Sequence, residues 1–229
     1  MDPVREHRIQ VQRSARYSTL GEPGASTREV WVALHGYRQL AARFLRRFGV
    51  LDDGTRWIVA PEALSRFYVE DSVGRHGPAS RVGATWMTKE DREAEIADYV
   101  AYLDRLAGRL FERVDRKAVR LVVLGFSQGV ATAARWSALG AWPADALVAW
   151  GDSLPPDLDE GRARERFPAL DLVVVRGSAD GTRRPAEEAA DEARLRSWGV
   201  EAAVLEHPGG HRVDEEALRR VAELVTGAG

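Results

Sequence analysis

The sequence predicts an α/β fold in which a mainly parallel central sheet carries helices on both faces. Three observations lead there. Short apolar runs recur: "EVWVALHG" (29–36), "WIVAPE" (57–62), "VRLVVLG" (119–125), "ALVAWG" (146–151), "DLVVVRG" (171–177) and "EAAVLEH" (201–207). Most are β-branched and apolar at nearly every position, as strands buried on both faces are. Segments with helical apolar spacing separate many of them, and that alternation builds parallel sheets.

Taken in order, residues 7–12 ("HRIQVQ") alternate polar and apolar, and 15–20 ("ARYSTL") do so weakly; both predict antiparallel edge strands. Residues 21–28 are rich in Gly, Pro and Ser and form a loop. Leu40, Phe44, Leu45 and Phe48 make a helical stripe over 38–48, with Gly49 as its stop. Residues 63–87 show no period and hold Phe67, Tyr68, Trp86 and Met87, so they predict a short insertion over the sheet edge. Thr88 precedes Asp91 by three, a capping-box spacing. Ile96, Val100, Leu103, Leu106 and Leu110 then mark a long amphipathic helix. Further helices are expected at 128–139, at 186–198 ending on Gly199, and at 214–225 with Asp214 as N-cap. There is no repeat or linker, so one domain over 1–229 is the simplest organisation.

Composition narrows the function classes. A hydrophobic share of 45% and a charged share of 30% are ordinary for a globular protein. A net charge of −2 offers no electrostatic reason to bind nucleic acid. The absence of cysteine rules out disulfides, zinc thiolates and cysteine nucleophiles. The start "MDPVREHRIQ" lacks the apolar core of a secretory signal, and no apolar run approaches the ~20 residues of a membrane span. A cytoplasmic location is therefore expected. Partnership with a second copy of the chain is compatible with the sequence.

The chemistry centres on "VVLGFSQGVATAARW" (122–136), where "GFSQG" fits G-x-S-x-G. In that pattern a strand turns sharply into a helix, and the serine sits at the turn with its hydroxyl held out. The flanking positions approach neighbouring backbone closely, so Gly125 and Gly129 carry no side chain there. An apolar run before Ser127 and a helical run after it supply the context the motif needs. The plain alternative is a small polar residue in a glycine-rich turn.

A serine nucleophile needs a base, and the chain offers His7, His35, His76, His207 and His211. The base belongs on the loop after the last strand, where "EHPGGHRVDEE" places His211; His207, at the strand end, is the alternative. His7 falls on the predicted edge strand and His76 in the insertion. His35 reads as a strand-end residue whose ring shapes its own loop. The orienting acid should follow a strand between serine and histidine. Asp180 in "VVVRGSADGTRRP" does so, and Asp152 in "VAWGDSLPP" does so one strand earlier. Backbone donors to a developing oxyanion are expected from the Gln128 N–H and, in the loop after "VWVALHG", the Tyr37 N–H. Phe67, Tyr68, Trp86 and Met87 either line an apolar substrate pocket or pack the insertion down.

Together, "ALHGY", "GFSQG", "GSADGTRRP" and "HPGGH" resemble the α/β-hydrolase superfamily over about residues 29–225. Within it they are most similar to the phospholipase/carboxylesterase group that includes acyl-protein thioesterases, of which "GFSQG" is the characteristic elbow. "GATWMTKEDREAEIADYVAYLDRL" is similar to a bacterial serine-esterase branch. The resemblance implies the α/β-hydrolase fold and hydrolysis of esters or thioesters through Ser127, Asp180 and His211. It further implies an oxyanion hole from Tyr37 and Gln128, and no metal or cofactor. The group often has an apolar pair where this chain has Arg183 and Arg184, which either favour an anionic substrate or are merely exposed. Two other outcomes share these residues. One is a non-catalytic binding module on the same fold; the other is an acyltransferase passing the acyl group to an acceptor other than water.

Overall fold

The computed structural model describes residues 3–70 and 75–226. A seven-stranded sheet forms its centre, in the order β1-β3-β2-β6-β7-β8-β9. The strands are β1 (Tyr17–Leu20), β2 (Glu29–Leu34), β3 (Arg56–Pro61), β6 (Arg120–Phe126), β7 (Ala146–Trp150), β8 (Asp171–Gly177) and β9 (Ala202–His207). Only β1 runs antiparallel, against β3; every other neighbour pair is parallel. The expected architecture is therefore the observed one.

The inner strands are apolar nearly throughout because both of their faces are covered, whereas the edge strands β1 and β9 alternate with exposed residues. Val30, Val32 and Leu34 of β2 face one core, and Trp31 and Ala33 face the other. Likewise Leu121 and Val123 of β6 oppose Val122, Leu124 and Phe126, the two-residue alternation of a strand. On the first face lie α2 (Arg92–Phe111), α3 (Gln128–Leu139), α4 (Glu160–Arg166) and α5 (Pro185–Ser197). On the second lie α1 (Ala41–Leu45) and α6 (Glu215–Thr226). No helix among the described residues is long and apolar enough to cross a membrane.

Several expectations need correction. Residues 7–12 form no strand: Ile9 and Val11 are 86% and 77% exposed. Alternation without a partner strand does not make a sheet edge, and β1 already occupies that edge. Arg8 instead reaches Asp91 with hydrogen bonds of 2.7 to 3.1 Å. The helix expected over 38–48 shortens to α1, followed by a 3-10 run at Arg46–Leu51. Its start is pulled out of the helix because Arg38 adopts a left-handed conformation (φ 66°) and residues 38–39 pair with Ala84. The Thr88–Asp91 capping box does not form. Asp91 is the residue before α2 but has φ 44°, and Thr88 is met instead by Glu95. Asp214 does cap α6, accepting the Ala217 N–H at 3.1 Å. Helix α4 was not anticipated; its signal is Asp159, which accepts the Arg162 N–H at 2.9 Å.

The stretch at 63–87, of which 71–74 lie outside the described residues, contains a hairpin. Its strands are β4 (Ser65–Tyr68) and β5 (Val82–Thr85), paired antiparallel. Each has only four residues, too few to show a period in the sequence.

Candidate active site

Ser127 joins β6 directly to α3 with φ 53° and ψ −124°, a sparsely populated conformation for a residue with a side chain. The surroundings over-determine it. The Ser127 N–H donates to the Trp150 carbonyl (2.9 Å), and its own carbonyl accepts from the Val130 N–H (2.8 Å). A Cβ at Gly125 would lie 2.3 Å from the Gly129 carbonyl oxygen, and one at Gly129 would lie 2.2 Å from that of Leu34. Both glycines are thus dictated by backbone contact, as the motif requires.

His211 lies in the loop between β9 and α6, which is stitched to the loop after β8. Ser178 N–H donates to the His207 carbonyl (2.8 Å), and Ala179 N–H to that of Gly209 (3.1 Å). A Cβ on Gly177 would meet the Gly209 carbonyl at 2.4 Å, so the two turns pack backbone to backbone. Trp150 Nε1 donates to the Arg212 carbonyl (3.0 Å) and anchors the far side. The His211 ring lies 4.9 Å from the Phe126 ring, centre to centre. It also sits on Gly151, where a Cβ would come within 3.3 Å of the ring.

His211 Nδ1 is 2.7 Å from Asp180 Oδ2. The other carboxylate oxygen accepts the Thr182 hydroxyl (2.7 Å) and the Thr182 N–H (2.8 Å). The Thr182 oxygen also lies 3.1 Å from His211 Nδ1. Burial pushes the Asp180 carboxyl up, but the hydrogen bonds from Thr182 and His211 outweigh it and hold its pKa below the ordinary value. An ionised Asp180 demands the proton on Nδ1, so the neutral imidazole offers Nε2 as a base. Among the described residues the Ser127 hydroxyl makes no hydrogen bond, to His211 or otherwise.

The other histidines are placed elsewhere. His35 is fully buried; its Nδ1 donates to the Gly36 carbonyl (2.8 Å), and its Nε2 accepts the Ala63 N–H (3.1 Å). It shapes the loop after β2, as expected. His207 is buried beside Trp150, its Nδ1 accepting from Gly209 N–H (3.1 Å). His76 stacks on Tyr68 at 3.8 Å, and His7 lies in the exposed N-terminal segment. Among the described residues Asp152 accepts only the Ser153 N–H (2.9 Å), so the acid bound to His211 is Asp180.

Neither the Tyr37 nor the Gln128 N–H donates to another described backbone carbonyl. The Gln128 side chain is committed elsewhere. Its Nε2 donates to Thr85 Oγ1 (2.8 Å) and the Met87 carbonyl (3.0 Å), and its Oε1 accepts the Trp86 N–H (3.1 Å). It therefore ties the end of the β4–β5 hairpin to the elbow. Gly36 N–H donates to Gln39 Oε1 (2.8 Å), which holds the Tyr37 loop.

Trp86 and Met87 are packing residues rather than pocket walls. Trp86 is 3% exposed and donates to the His35 carbonyl (2.8 Å), and Met87 packs against the same core. Phe67 stacks on Tyr37 at 5.3 Å, and Tyr68 is about half exposed. None of the four lines either of the two cavities beside the site. One, of about 420 Å³, runs under α5 from Gly151 and Asp180. The other, of about 320 Å³, opens beside His211 and Phe126. Sequence reasoning missed Thr182, although an Asp whose carboxylate takes the N–H two residues on is a common turn signature and "ADGT" has that form. It also missed Phe126 and Gly151, whose roles come from partners distant in sequence.

No family model matches the chain, and no curated protein matches it in sequence. Solved structures do. Acyl-protein thioesterase 2 of Zea mays superposes with a TM-score of 0.70 at 18% identity, over 93% of this chain and 100% of that one. A carboxylesterase of Mesorhizobium loti gives 0.69 at 16%, over 93% and 95%. A phospholipase/carboxylesterase of Dyadobacter fermentans gives 0.63 at 16%, over 96% and 100%. At such identities the likeness speaks for the fold, and it agrees with the strand order and the strained elbow: this chain has the α/β-hydrolase fold that these enzymes share.

Proposed function

We propose that the protein is a serine hydrolase of carboxylic esters or thioesters. Ser127 attacks the carbonyl, and His211 Nε2 takes its proton and returns it to the leaving group. Asp180 fixes the tautomer and stabilises the imidazolium. The Gln128 and Tyr37 N–H groups receive the oxyanion. Water then releases the acyl group. The observation that carries this reading is the Asp180–His211 hydrogen bond, held on two stitched turns beside a strained serine elbow. The reading requires the Ser127–His211 contact to close when substrate occupies the site, as catalytic hydrogen bonds commonly tighten on binding.

A fluorophosphonate probe tests it. Wild-type protein should be labelled at Ser127, and Ser127→Ala should lose both labelling and turnover of p-nitrophenyl esters, by several orders of magnitude in kcat. Native protein left unlabelled at Ser127 would overturn the assignment.

A further inference from the structure

The cavity beside His211 has an uneven lining. Its floor is aromatic: the Phe44 and Phe126 rings stack at 6.0 Å, and Phe126 continues to His211. Its rim is cationic, carrying Arg38, Arg43, Arg47 and Arg212. The sequence explains the concentration, since between Glu29 and Asp52 it holds four arginines and no carboxylate.

Pairing separates these arginines from others on the surface. Arg183 is bound by Glu188 (2.8 Å) and Glu206 (3.1 Å), and Arg184 by Glu187 (3.0 Å). Arg183 and Arg184, which read as either favouring an anionic substrate or merely exposed, are thus both tied to glutamates, which leaves them little free charge to offer a substrate. Arg38, Arg43 and Arg47 have no carboxylate within ion-pair distance among the described residues, while Arg212 makes one contact of 3.4 Å to Asp214. Arg38 is also held in place. Its left-handed backbone is locked by the Ala84 pairing, its N–H donating at 3.0 Å, and Gly83 packs so closely that a Cβ would lie 2.5 Å from the Arg38 carbonyl. Among the described residues its guanidinium donates to the Val69 carbonyl, at 3.3 Å, and to no other.

Guanidiniums with no carboxylate partner among the described residues, set around an apolar floor next to the proposed base, form a receptor for an oxyanion attached to an apolar body. We infer that the substrate of this site is an ester or thioester bearing a carboxylate or phosphate, seated in the Arg38–Arg43–Arg47 groove while its carbonyl faces Ser127. This rests on the hydrolase reading above and adds the charge of the substrate to it.

Two matched substrate pairs test the inference and locate the anion. The first is the p-nitrophenyl monoester of glutaric acid against p-nitrophenyl valerate, which puts the charge on the acyl side. The second is S-butyryl-phosphopantetheine against S-butyryl-pantetheine, which puts it on the leaving group. In at least one pair kcat/KM should favour the anionic member by about tenfold or more, the effect of a charge-assisted hydrogen bond. That ratio should fall about tenfold in the Arg43→Glu/Arg47→Glu double variant, less in the double Gln variant, and not in the distant surface control Arg109→Glu. It should also shrink as salt rises from about 0.01 to 1 M. Ratios near one in both pairs, or ratios unchanged in the double variant, would overturn the inference while valerate turnover and Ser127 labelling leave the hydrolase reading standing. Absence of both labelling and turnover would remove the hydrolase reading and this inference together.

Discussion

Helices α3 and α5 both cover the first face of the sheet, but they are held by different forces. Of the twelve residues of α3, nine are buried, and its first turn touches the β2 backbone through Gly129. Of the thirteen residues of α5, only Leu195 is buried, and a cavity of about 420 Å³ lies beneath. Polar contacts hold α5 in place: Arg176 to Glu188 (3.3 Å) and Glu192 (3.0 Å), and Asp191 to the Leu154 N–H (2.6 Å). The helix that presents Ser127 is thus seated by packing, which is short-ranged and unforgiving. The helix that follows Asp180 is seated by hydrogen bonds and ion pairs, which tolerate adjustment. A serine in a strained turn needs the first kind of support, whereas a carboxylate that hydrogen-bonds a ring is served by the second.

The largest effect expected on the adjustable side is chemical. Asp180→Asn should lower kcat about ten-thousand-fold through the wrong imidazole tautomer, with the fold intact by circular dichroism. If Asp152→Asn were the damaging change instead, the acid would be misassigned. Next comes a direct comparison of packing. Ala133 on α3 is fully buried, so Ala133→Leu should cost about 1–3 kcal/mol in urea unfolding. Ala202 lines the cavity under α5, so Ala202→Leu should change stability by less than about 1 kcal/mol. Equal costs would show that the two helices are seated alike.

The smallest effect concerns pH. Burial holds both His35, after β2, and His207, at the end of β9, below the ordinary imidazole pKa. Below about pH 6.5 the unfolded chain takes up protons that the folded chain refuses, so stability rises with pH there. It is full above that value and declines as the pH falls toward the lowered folded-state values. From pH 7 to 5 the loss should be at most about 2 kcal/mol per histidine, read from urea midpoints. His35→Gln should flatten this slope, and His7→Gln, in the exposed segment, should not. An unchanged midpoint between the two pH values would contradict the burial argument.

Much of this was legible in the chain. The six apolar runs became β2, β3 and β6–β9, most of them because strands buried on both faces leave a signal that needs no knowledge of partners; β9, half exposed at the sheet edge, carries a weaker one. Gly125 and Gly129 were legible for the same reason, since a tight strand-to-helix turn imposes local steric demands. What failed depended on a neighbour. "HRIQVQ" alternates like a strand but has no strand to pair with, and 38–48 reads as one helix until β5 captures its start. Trp86 and Met87 read equally as pocket walls or as packing until the fold is seen, where Trp86 bonds the His35 carbonyl and both pack against the core.

By itself, then, the sequence determined the six apolar strands, the longer helices and the elbow, because hydrophobic period and glycine sterics act over a few residues. Only the tertiary structure decided that His211 bonds Asp180 rather than Asp152, and that Thr182 braces that bond. It also decided that Arg183 and Arg184 are paired with glutamates while Arg38, Arg43 and Arg47 have no acidic partner among the described residues beside the site. Electrostatic partners are set by distance in space, and these residues lie on segments that only the packing of strands and loops brings together.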